Sequence, residues 1–317
     1  MVACRMKATS NEHQSVMLTE VIEHLAIKPD GIYLDATFGR GGHAQAILQQ
    51  LGPRGRLLAM DKDPDAIAYA KEHFVTDARF SIHHGSFTEL TDVIRRENLI
   101  GRIDGILLDL GVSSPQLDNP ERGFSFLHAG PLDMRMDCSK GVDAATWLAA
   151  ISEEALMKVF WEYGEERYAR RITRAIIAAR QETPITTTRE LADIIAAAHP
   201  AWQKGKHPAT RCFQAIRIAV NHELDELEQV LVQSVAALKV GGRLLVISFH
   251  SLEDRMVKHF MQREECGIEL PAGLPIKHLD RHFHFKRLGR AIKPSTKEIG
   301  MNSRARSAIL RIGEKLL

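Results

Sequence analysis

The stretch DATFGRGGHA, residues 35–44, decides the fold class of this 317-residue chain. It ends an apolar run with an acid, Asp35, and then places three glycines within a few positions. Glycine in such a turn lets the backbone approach a ligand closely or adopt a positive φ, as in nucleotide-type pockets. A plain strand-ending turn has the same pattern, so the segments that follow have to separate the two interpretations.

The first third of the chain alternates short apolar runs with segments of helical periodicity. We predict strands at residues 32–36, 56–61, 80–83 and 103–110, and helices at residues 44–51, 64–73 and 89–97. Strand–helix units of this length form parallel sheets with right-handed crossovers. The sequence therefore predicts an α/β fold with a Rossmann-like, mostly parallel sheet.

The regular alternation stops after the fourth strand. Residues 111–142 predict an ordered loop, and helices are predicted at residues 143–163, 165–181, 188–199 and 221–238. Strands return only at residues 243–249 and 308–312, much later than a βαβ crossover requires. We therefore predict an all-helical domain inserted into the sheet domain. The predicted boundaries are 1–140 for the first, cofactor-binding part, 141–206 for the helical substrate-recognition insertion and 207–317 for the second part.

The composition is that of an ordinary globular protein, with a net charge of only +2. A nucleic-acid partner would therefore be bound by local basic patches. The four cysteines, Cys4, Cys138, Cys212 and Cys266, contain no C-x-x-C pair, which argues against a zinc site or a disulfide framework. The N-terminus lacks the apolar core of a signal peptide, and no apolar run is long enough to span a membrane. We expect a cytoplasmic protein without a membrane partner, either a monomer or a homodimer.

Three acids are expected at the carboxyl ends of predicted strands, where parallel sheets bind ligands: Asp35, Asp61 and Asp109. Asp61 follows the glycine turn by about 20 residues, the spacing at which a carboxylate accepts hydrogen bonds from the ribose hydroxyls of an adenosine. Alternatively, Asp35 and Asp61 cap the helices that follow them. Phe87, after the third strand, either packs on the adenine face or belongs to the core.

The glycine turn discriminates between cofactors that contain adenosine. The run GRGGH, residues 39–43, does not match the G-x-G-x-x-G of NAD sites, and the chain has no P-loop Gly-Lys-Ser/Thr. S-adenosylmethionine has no phosphate, but it needs room for its amino-acid end and an acid near its ammonium group. Asp35 and the turn at Gly41, Gly42 and His43 meet these needs. We therefore predict S-adenosylmethionine as the cofactor.

A small-residue loop containing a proline follows Asp109, with the sequence Ser113-Ser114-Pro115-Gln116. An exocyclic amine of a base is a poor nucleophile, because its lone pair is conjugated with the ring. Hydrogen bonds accepted from the NH₂ group by a side-chain oxygen and a backbone carbonyl pull the nitrogen toward tetrahedral geometry and aim its lone pair. Proline makes such a loop rigid. We predict Asp109, Ser113, Ser114 and Pro115 as catalytic residues, with an ordinary strand-to-loop turn as the alternative.

Four long strings of the sequence point to one family. They are FGRGGH (38–43), DLGVSSPQLDNPERGFSFLHAGPLDMRMD (109–137), HPATRCFQAIRIAVNHEL (207–224) and ISFHSLEDR (247–255). The chain resembles the bacterial small-subunit ribosomal RNA cytidine N4-methyltransferases, also called the RsmH or MraW family, over nearly its whole length. The resemblance implies a class I S-adenosylmethionine-dependent methyltransferase fold with an inserted helical domain, and N4-methylation of a cytidine in the decoding region of 16S rRNA. It also implies cofactor contacts at Gly41, Gly42, His43, Asp61, Phe87, Asp109 and Gln116.

Basic residues for an RNA partner concentrate in two stretches without acids, residues 201–222 and 281–297. Phe283 and Phe285 interleave with the cations of the second stretch. Cations bind phosphates, and aromatic side chains stack on unpaired bases. A solvated basic surface explains either stretch equally well.

A third basic region lies in a predicted helix. Arg167, Arg171 and Arg174 are expected on one helical face, opposite the apolar stripe. They contact RNA, form salt bridges with Glu165 and Glu166, or are simply solvated.

Other candidates border the expected target pocket. His250 and Ser251 follow a predicted strand, and Arg135 either lies at this pocket or pairs with Asp133 or Asp137. The sequence shows no cluster of His, Cys and carboxylates at metal-ligand spacing, so we predict no metal site. Together these features favour an RNA base-amine methyltransferase acting on 16S rRNA, within the small ribosomal subunit. A small-molecule or protein N-methyltransferase and a nucleic-acid-binding protein with a vestigial pocket are the alternatives.

Overall fold

A computed structural model describes residues 15–202, 207–266 and 284–317. Within these residues, seven strands form one sheet. The strands are β1 (Ile32–Asp35), β2 (Arg56–Asp61), β3 (Phe80–His84), β4 (Ile103–Asp109), β5 (Leu238–Ser248), β6 (Phe285–Arg287) and β7 (Ile309–Lys315).

The helices of the described residues fall into two groups, one against the sheet and one separate from it. Those near the sheet or its loops are α1 (Leu18–Leu25), α2 (Gly42–Gln50), α3 (Pro64–His73), α4 (Leu90–Arg96), α5 (Ser114–Asp118), α11 (Glu223–Ala237), α12 (Ser251–Cys266) and α13 (Thr296–Met301). The separate group consists of α6 (Ala144–Ala150), α7 (Glu153–Glu162), α8 (Ala169–Glu182), α9 (Thr188–Ala198) and α10 (Thr210–Asn221).

The strand order across the sheet is β3-β2-β1-β4-β5-β7-β6. Strands β1 to β5 run parallel, whereas β7 is antiparallel to both of its neighbours, β5 and β6. The chain begins in the middle of the sheet and winds outward to both sides, so the order reverses between β1 and β4. This switch point is where doubly wound sheets bind ligands. The predicted Rossmann-like, mostly parallel sheet is confirmed.

The sheet has an apolar cluster on each face, because helices cover both sides. Leu108 of β4 belongs to the cluster shared with α4, α11 and α12. The preceding residue, Leu107, points to the opposite face and joins the cluster shared with α1, α2 and α3. This double burial explains why β4 is a continuous apolar run in the sequence.

A third apolar cluster holds the helical group together. Its residues come from α6 to α10 and from the loop that follows α5, and they extend from Phe124 to Ile216. The predicted insertion, residues 141–206, covers only the middle of this cluster. Met134 in the loop and Phe213 in α10 face the same core, although they lie outside the predicted boundaries. Composition changes mark where helices begin, but they do not mark which loop residues share a core.

Several predicted helices differ from the observed ones at their ends. The predicted helix 143–163 is interrupted: Ile151 is extended, and the Ser152 side chain caps α7 by accepting the Ala155 N–H at 3.2 Å. The predicted helix 165–181 begins only at Ala169, because Glu165 adopts a left-handed φ of 47°. Helices α1, α5, α10, α12 and α13 were not predicted. No helix in the described ranges is long and apolar enough to cross a membrane.

Candidate active site

The carboxyl ends of β1, β2 and β4 open into one cavity of about 800 Å³. Residues far apart in the sequence meet there, because parallel strands end at the same edge of the sheet. Within the described ranges, all of the predicted site residues except Asp35 and Gly41 line the cavity. The lining residues among them are Gly42, His43, Asp61, Phe87, Asp109, Ser113, Ser114, Pro115 and Gln116.

The glycine turn after β1 depends on two glycines for different reasons. Gly41 has a φ of +72°, and a Cβ there would lie 2.6 Å from the Phe74 ring and 2.7 Å from the Phe38 ring. A Cβ on Gly42 would collide with the hydroxyl of Ser15, which also lines the cavity. Gly41 therefore shapes the turn, and Gly42 lets Ser15 pack closely against the start of α2 at the cavity wall.

Asp61 ends β2 and holds the glycine turn. Its Oδ2 accepts the Gly39 N–H at 2.7 Å, and its Oδ1 accepts the Asp63 N–H at 2.8 Å. Burial raises the pKa of Asp61 to about 6, against the opposing effect of these hydrogen bonds. Each carboxylate oxygen has more than one lone pair, so Asp61 can still accept hydroxyl donors from the cavity. It does not cap α3, because Asp63 is the capping residue.

Asp35 is buried, and it is not one of the described lining residues. Its Oδ1 accepts the Thr37 N–H at 3.1 Å. Burial raises the pKa of Asp35 to about 6, although the charge of His43 lowers it. Asp35 does not cap α2, whose N-cap is Gly41. Its predicted contact with the cofactor ammonium group stays a prediction.

His43 and Asp109 meet at the cavity, with His43 Nε2 3.6 Å from Asp109 Oδ2. The backbone N–H of Asp109 donates to Thr37 Oγ1 at 2.7 Å, which ties the end of β4 to the turn after β1. Both ring nitrogens of His43, Asp109 Oδ1 and Asp35 Oδ2 are buried without a hydrogen-bond partner in the described part of the chain. Unpaired buried polar atoms are costly, so this cluster fits a ligand that brings its own polar groups. The ammonium group of S-adenosylmethionine is such a group for Asp35 and His43, and an N–H of a methyl-accepting amine is one for Asp109 Oδ1.

The loop after β4 is fixed by Gln116. Its Oε1 accepts the Ser113 N–H at 2.9 Å, and its Nε2 donates to Asp63 Oδ2 at 2.7 Å. Pro115 stands in the first turn of α5, where its missing N–H costs no hydrogen bond. Gln116 therefore positions Ser113 and Ser114 in the cavity wall and connects the loop to α3.

Arg122, which was not among the predicted site residues, joins the same network. Its Nη1 donates to Asp63 Oδ2 at 2.9 Å and to Asp65 Oδ2 at 3.0 Å, and its Nη2 donates to the Met136 carbonyl at 2.9 Å. Met136 lines the cavity and belongs to the core of the helical group. No local sequence pattern marks Arg122, because its partners come from α3 and from a loop beyond it.

Phe87 lies where its two predicted roles meet: it packs against the core, and its contact with adenine stays a prediction. It begins a 3₁₀ turn, Phe87–Glu89, whose capping residue Ser86 accepts the Thr88 N–H at 3.1 Å. Phe87 lines the cavity and also packs against the core cluster on one face of the sheet. Its side chain is thus supported by the core at the edge of the cavity.

The end of β5 contributes Phe249 and Glu253 to the described cavity lining, whereas His250 and Ser251 are not among the lining residues. His250 Nε2 lies 3.1 Å from Glu253 Oε1, and Glu253 Oε2 accepts the Phe249 N–H at 2.8 Å. Burial opposes the ionisation of Glu253, but its hydrogen bond with His250 and the nearby charges of His250 and Arg217 outweigh this and lower its pKa. His250 therefore acts on Glu253 rather than directly on the cavity.

Glu223, His250 and Glu253 bring ligand-type atoms within 4.8 Å of one another, a grouping that sequence analysis did not predict. Arg217 occupies both carboxylate oxygens of Glu223, with its Nε and Nη2 donating at 2.8 Å each. A cation would have to displace this guanidinium from the same side of the cluster. We therefore describe the group as a buried ion-pair network along the cavity wall.

The structure reduces the set of residues that were predicted to bind RNA. Arg217 is largely buried in its ion pair with Glu223, and Phe285 is fully buried and unable to stack on a base. Arg135 pairs with Asp133 at 2.8 Å, so its alternative role at the target pocket is not observed. Arg287 is half-buried and pairs with Glu265, and His207 is half-buried as well. The exposed candidates of the two stretches are Arg211, His222, Lys286, Arg290, Lys293 and Lys297. The candidates Lys204, Lys206, Arg281 and Phe283 lie outside the described residues, as does Cys4.

Comparison with known proteins gives one consistent result. The model of the MraW methylase family matches residues 10–316. A protein of Pseudoalteromonas atlantica named "Ribosomal RNA small subunit methyltransferase H" is 57% identical over 310 residues, which cover 97% of this chain and 99% of that protein. Proteins of the same name from Legionella pneumophila and Coxiella burnetii are 57% and 56% identical, and each alignment covers 96% of this chain and 99% of that protein.

Proposed function

The chain belongs to the MraW methylase family, and on that premise we propose that it transfers a methyl group from S-adenosylmethionine to the N4 amine of a cytidine in 16S rRNA. One observation carries the proposal: the glycine turn, Asp61 and the loop from Asp109 to Gln116 line the same cavity. The names of the relatives support ribosomal RNA of the small subunit as the substrate. The choice of cytidine, its N4 atom and the decoding region rests on the family resemblance of the string at 109–137.

The cavity wall offers a separate group for each part of the cofactor, which supplies a methyl group on a positively charged sulfur. Asp61 would hold the ribose hydroxyls, and Phe87 would cover a face of the adenine ring. The backbone at Gly42 and His43 leaves room for the amino-acid end. The carboxylates of Asp35, Asp61 and Asp109 make this part of the cavity negative, which suits a cationic ligand.

Asp109 and the loop after it hold the target amine in the proposed reaction. Asp109 Oδ1 is buried and has no hydrogen-bond partner within the described residues, so it is available to accept one N–H of the amine. A carbonyl of the 113–115 loop accepts the second N–H. Removing one such preorganised group typically costs about 10²–10³ in rate. The amine proton leaves after transfer, when the nitrogen has become acidic.

The target base has to leave its stack to reach this loop. Met136, from the core of the helical group, forms part of the cavity wall. Met136 lies in the loop before α6, so the core of the helical group reaches the cavity wall through this loop. This continuity supports the predicted substrate-recognition role of the insertion.

Small ribosomal subunits from cells that lack this protein provide the decisive substrate. The protein is incubated with them and methyl-labelled S-adenosylmethionine, and the labelled nucleoside is identified by mass spectrometry after digestion of the RNA. We expect N4-methylcytidine, or its 2′-O-methylated form. An Asp109→Asn variant that binds the cofactor normally should lose about 10²–10³ in kcat.

Two other outcomes would reject the proposal. If the label were found in a different nucleoside or on a different atom, the protein would still be an RNA methyltransferase, but the proposed target would be wrong. Cofactor binding without label in subunits, in free 16S rRNA or in a protein and small-molecule extract would favour a binding protein with a vestigial pocket.

We also propose a cytoplasmic location. Cys138, Cys212 and Cys266 are free thiols, which supports a reducing compartment.

A further inference from the structure

Four arginines stand close together at the start of α8. Arg167 lies in the turn before the helix, and Arg170, Arg171 and Arg174 follow within its first two turns, all of them exposed. Only Arg174 has a carboxylate within ion-pair distance in the described part of the chain, Glu153 at 3.6 Å. These four residues form what we call the α8 basic patch.

The two acids nearest in sequence do not neutralise the patch. Glu165 binds Arg255 at 2.9 Å and the Ser251 hydroxyl at 2.9 Å. Glu166 is buried, where it accepts the Tyr168 N–H at 2.8 Å and lies 3.7 Å from His199 Nε2. Salt bridges from the patch to Glu165 and Glu166, one of the alternatives from the sequence, are therefore excluded.

The patch works against the stability of its own helix. The first turn of α8 contains no acid, so the cations face the positive end of the helix dipole. Arg170 and Arg174 are four residues apart and Arg171 and Arg174 are three apart, spacings at which like charges on a helix repel. A structural role for these side chains would favour the opposite charge, so a negatively charged partner explains them better than solvation does.

The patch continues toward the cavity. Glu165, two residues before Arg167, contacts Ser251 at the start of α12, and Ser251 follows the cavity residue Phe249 by two positions. Arg211 donates to the Glu165 carbonyl at 3.0 Å and is exposed as well. Arg211 thus extends the positive surface from α8 toward the end of β5, whereas Arg255 is paired with Glu165.

We propose that the α8 basic patch, flanked by Arg211, binds the phosphate backbone of the RNA strand that carries the target base. This inference rests on the proposed function, since it takes the methyl acceptor to be RNA. The planar guanidinium forms paired hydrogen bonds with phosphate oxygens, which explains arginine at every one of these positions. The net charge of +2 means that the attraction is local to this surface.

The test compares two triple variants. One removes the patch residues that lack carboxylate partners, Arg167→Ala, Arg170→Ala and Arg171→Ala. The control removes three exposed arginines at the opposite, amino edge of the sheet, Arg95→Ala, Arg96→Ala and Arg102→Ala, and so changes the net charge equally. Binding to free 16S rRNA and methylation of small subunits are measured between roughly 50 and 200 mM salt. Over this range added salt strongly weakens the affinity that phosphate contacts provide.

For the patch variant, we expect KM for RNA to rise by roughly ten-fold or more at low salt, and the loss to fall on KM rather than on kcat. The slope of the logarithm of the RNA-binding constant against the logarithm of the salt concentration should become less steep by about 2. Each lost phosphate contact contributes roughly 0.7–0.9 to this slope, and the variant removes three arginines. Its melting temperature should be unchanged or higher, because alanine favours helix and the repulsion is gone. The control variant should keep both the KM and the slope of the wild type.

Each other outcome points to a different error. If wild-type protein methylates RNA and the patch variant keeps its KM and salt slope, this inference is wrong and the proposed function stands. If the variant binds free 16S rRNA normally but loses affinity for assembled subunits, the patch contacts an acidic ribosomal protein instead. If the wild type neither binds nor methylates RNA, the proposed function fails, and the inference fails with it.

Discussion

Arg122 donates through Nη1 to both carboxylate oxygens of Asp63, at 3.1 and 2.9 Å, and Gln116 donates to the same carboxylate at 2.7 Å. The side chains of Asp63 and Arg122 are only 6% and 10% exposed. This buried group connects three parts of the site: the first turn of α3, the loop after β4 and the loop leading into the helical group. The loop after β4 is therefore held by a buried network that itself forms part of the cavity wall.

Replacing Arg122 should destabilise the whole fold. Arg122→Leu leaves the Asp63 carboxylate buried without its cation, and breaking a buried pair in this way costs about 3–5 kcal/mol. Urea denaturation measures the loss in free energy of unfolding. The double variant Asp63→Asn with Arg122→Leu should lose less than the sum of the two single variants, because no uncompensated charge remains. Additive losses would show that the two residues act independently.

Asp35 should make stability depend on pH. Its pKa is about 6 in the folded protein against an ordinary value of 3.8, so between these pH values the folded state binds a proton that the unfolded chain has released. The contribution of Asp35 to stability is therefore fully present below about pH 4 and is lost as pH rises to about 6. Asp35→Asn removes the buried charge and should stabilise the cofactor-free protein at pH 8 by at most about 3 kcal/mol. The difference from the wild type should vanish near pH 4.

Asp77 provides the matched control for Asp35. Its hydrogen bonds and ion pair with Arg79 lower its pKa, the opposite direction. Asp77→Asn should therefore destabilise the protein at pH 8 rather than stabilise it. Denaturation at a series of pH values measures the free energy of unfolding of both variants. If both substitutions changed it in the same direction at pH 8, the argument that burial raises the pKa of Asp35 would be wrong.

Gly41 should tolerate substitution less well than a glycine in open space. Gly41→Ala combines a positive φ with contact against the rings of Phe38 and Phe74, whereas Gly101→Ala has a φ of +67° and nothing within 4 Å of its Cβ. Both should lose about 1–2 kcal/mol from backbone strain. Gly41→Ala should lose more, and it should also weaken S-adenosylmethionine binding, measured by calorimetry. If the two variants were equally stable and Gly41→Ala bound S-adenosylmethionine normally, the turn would accommodate the added methyl group without loss.

Ser152 should be needed for the boundary between α6 and α7. Ser152→Ala removes the acceptor of the Ala155 N–H and should cost about 1 kcal/mol, whereas Ser152→Asp should retain the cap. Thermal denaturation of the two variants measures the difference. If Ser152→Ala were as stable as the wild type, the helix break would need another cause.

Much of the sheet domain was predictable because its signals are local. The bounds of β2 and α3 agree to the residue with the predicted 56–61 and 64–73, since Asp63 and Pro64 mark the start of the helix within the sequence itself. The acids at the strand ends were also predictable, and Asp61 and Asp109 do line one cavity. In this domain, the order of apolar runs along the chain is enough to predict the parallel topology.

The helical group was less predictable, because its helix ends depend on single residues. Glu165 is strained into a left-handed conformation, and its side chain and carbonyl bind Ser251, Arg255 and Arg211. These partners come from α10 and α12, far along the chain. No window of the sequence around residue 165 contains the information that places the start of α8 at Ala169.

The sequence by itself determined the class of fold, the edge of the sheet that binds ligand and the residue types that face it. Only the tertiary structure decided which charged residues are available to a partner: Arg217 is paired and largely buried, whereas Arg167, Arg170 and Arg171 are exposed without a carboxylate partner in the described ranges. Periodicity and strand order arise from interactions between near neighbours, which a sequence displays directly. The pairing and burial of a charge depend on side chains brought together from distant segments, and these exist only once the chain has folded.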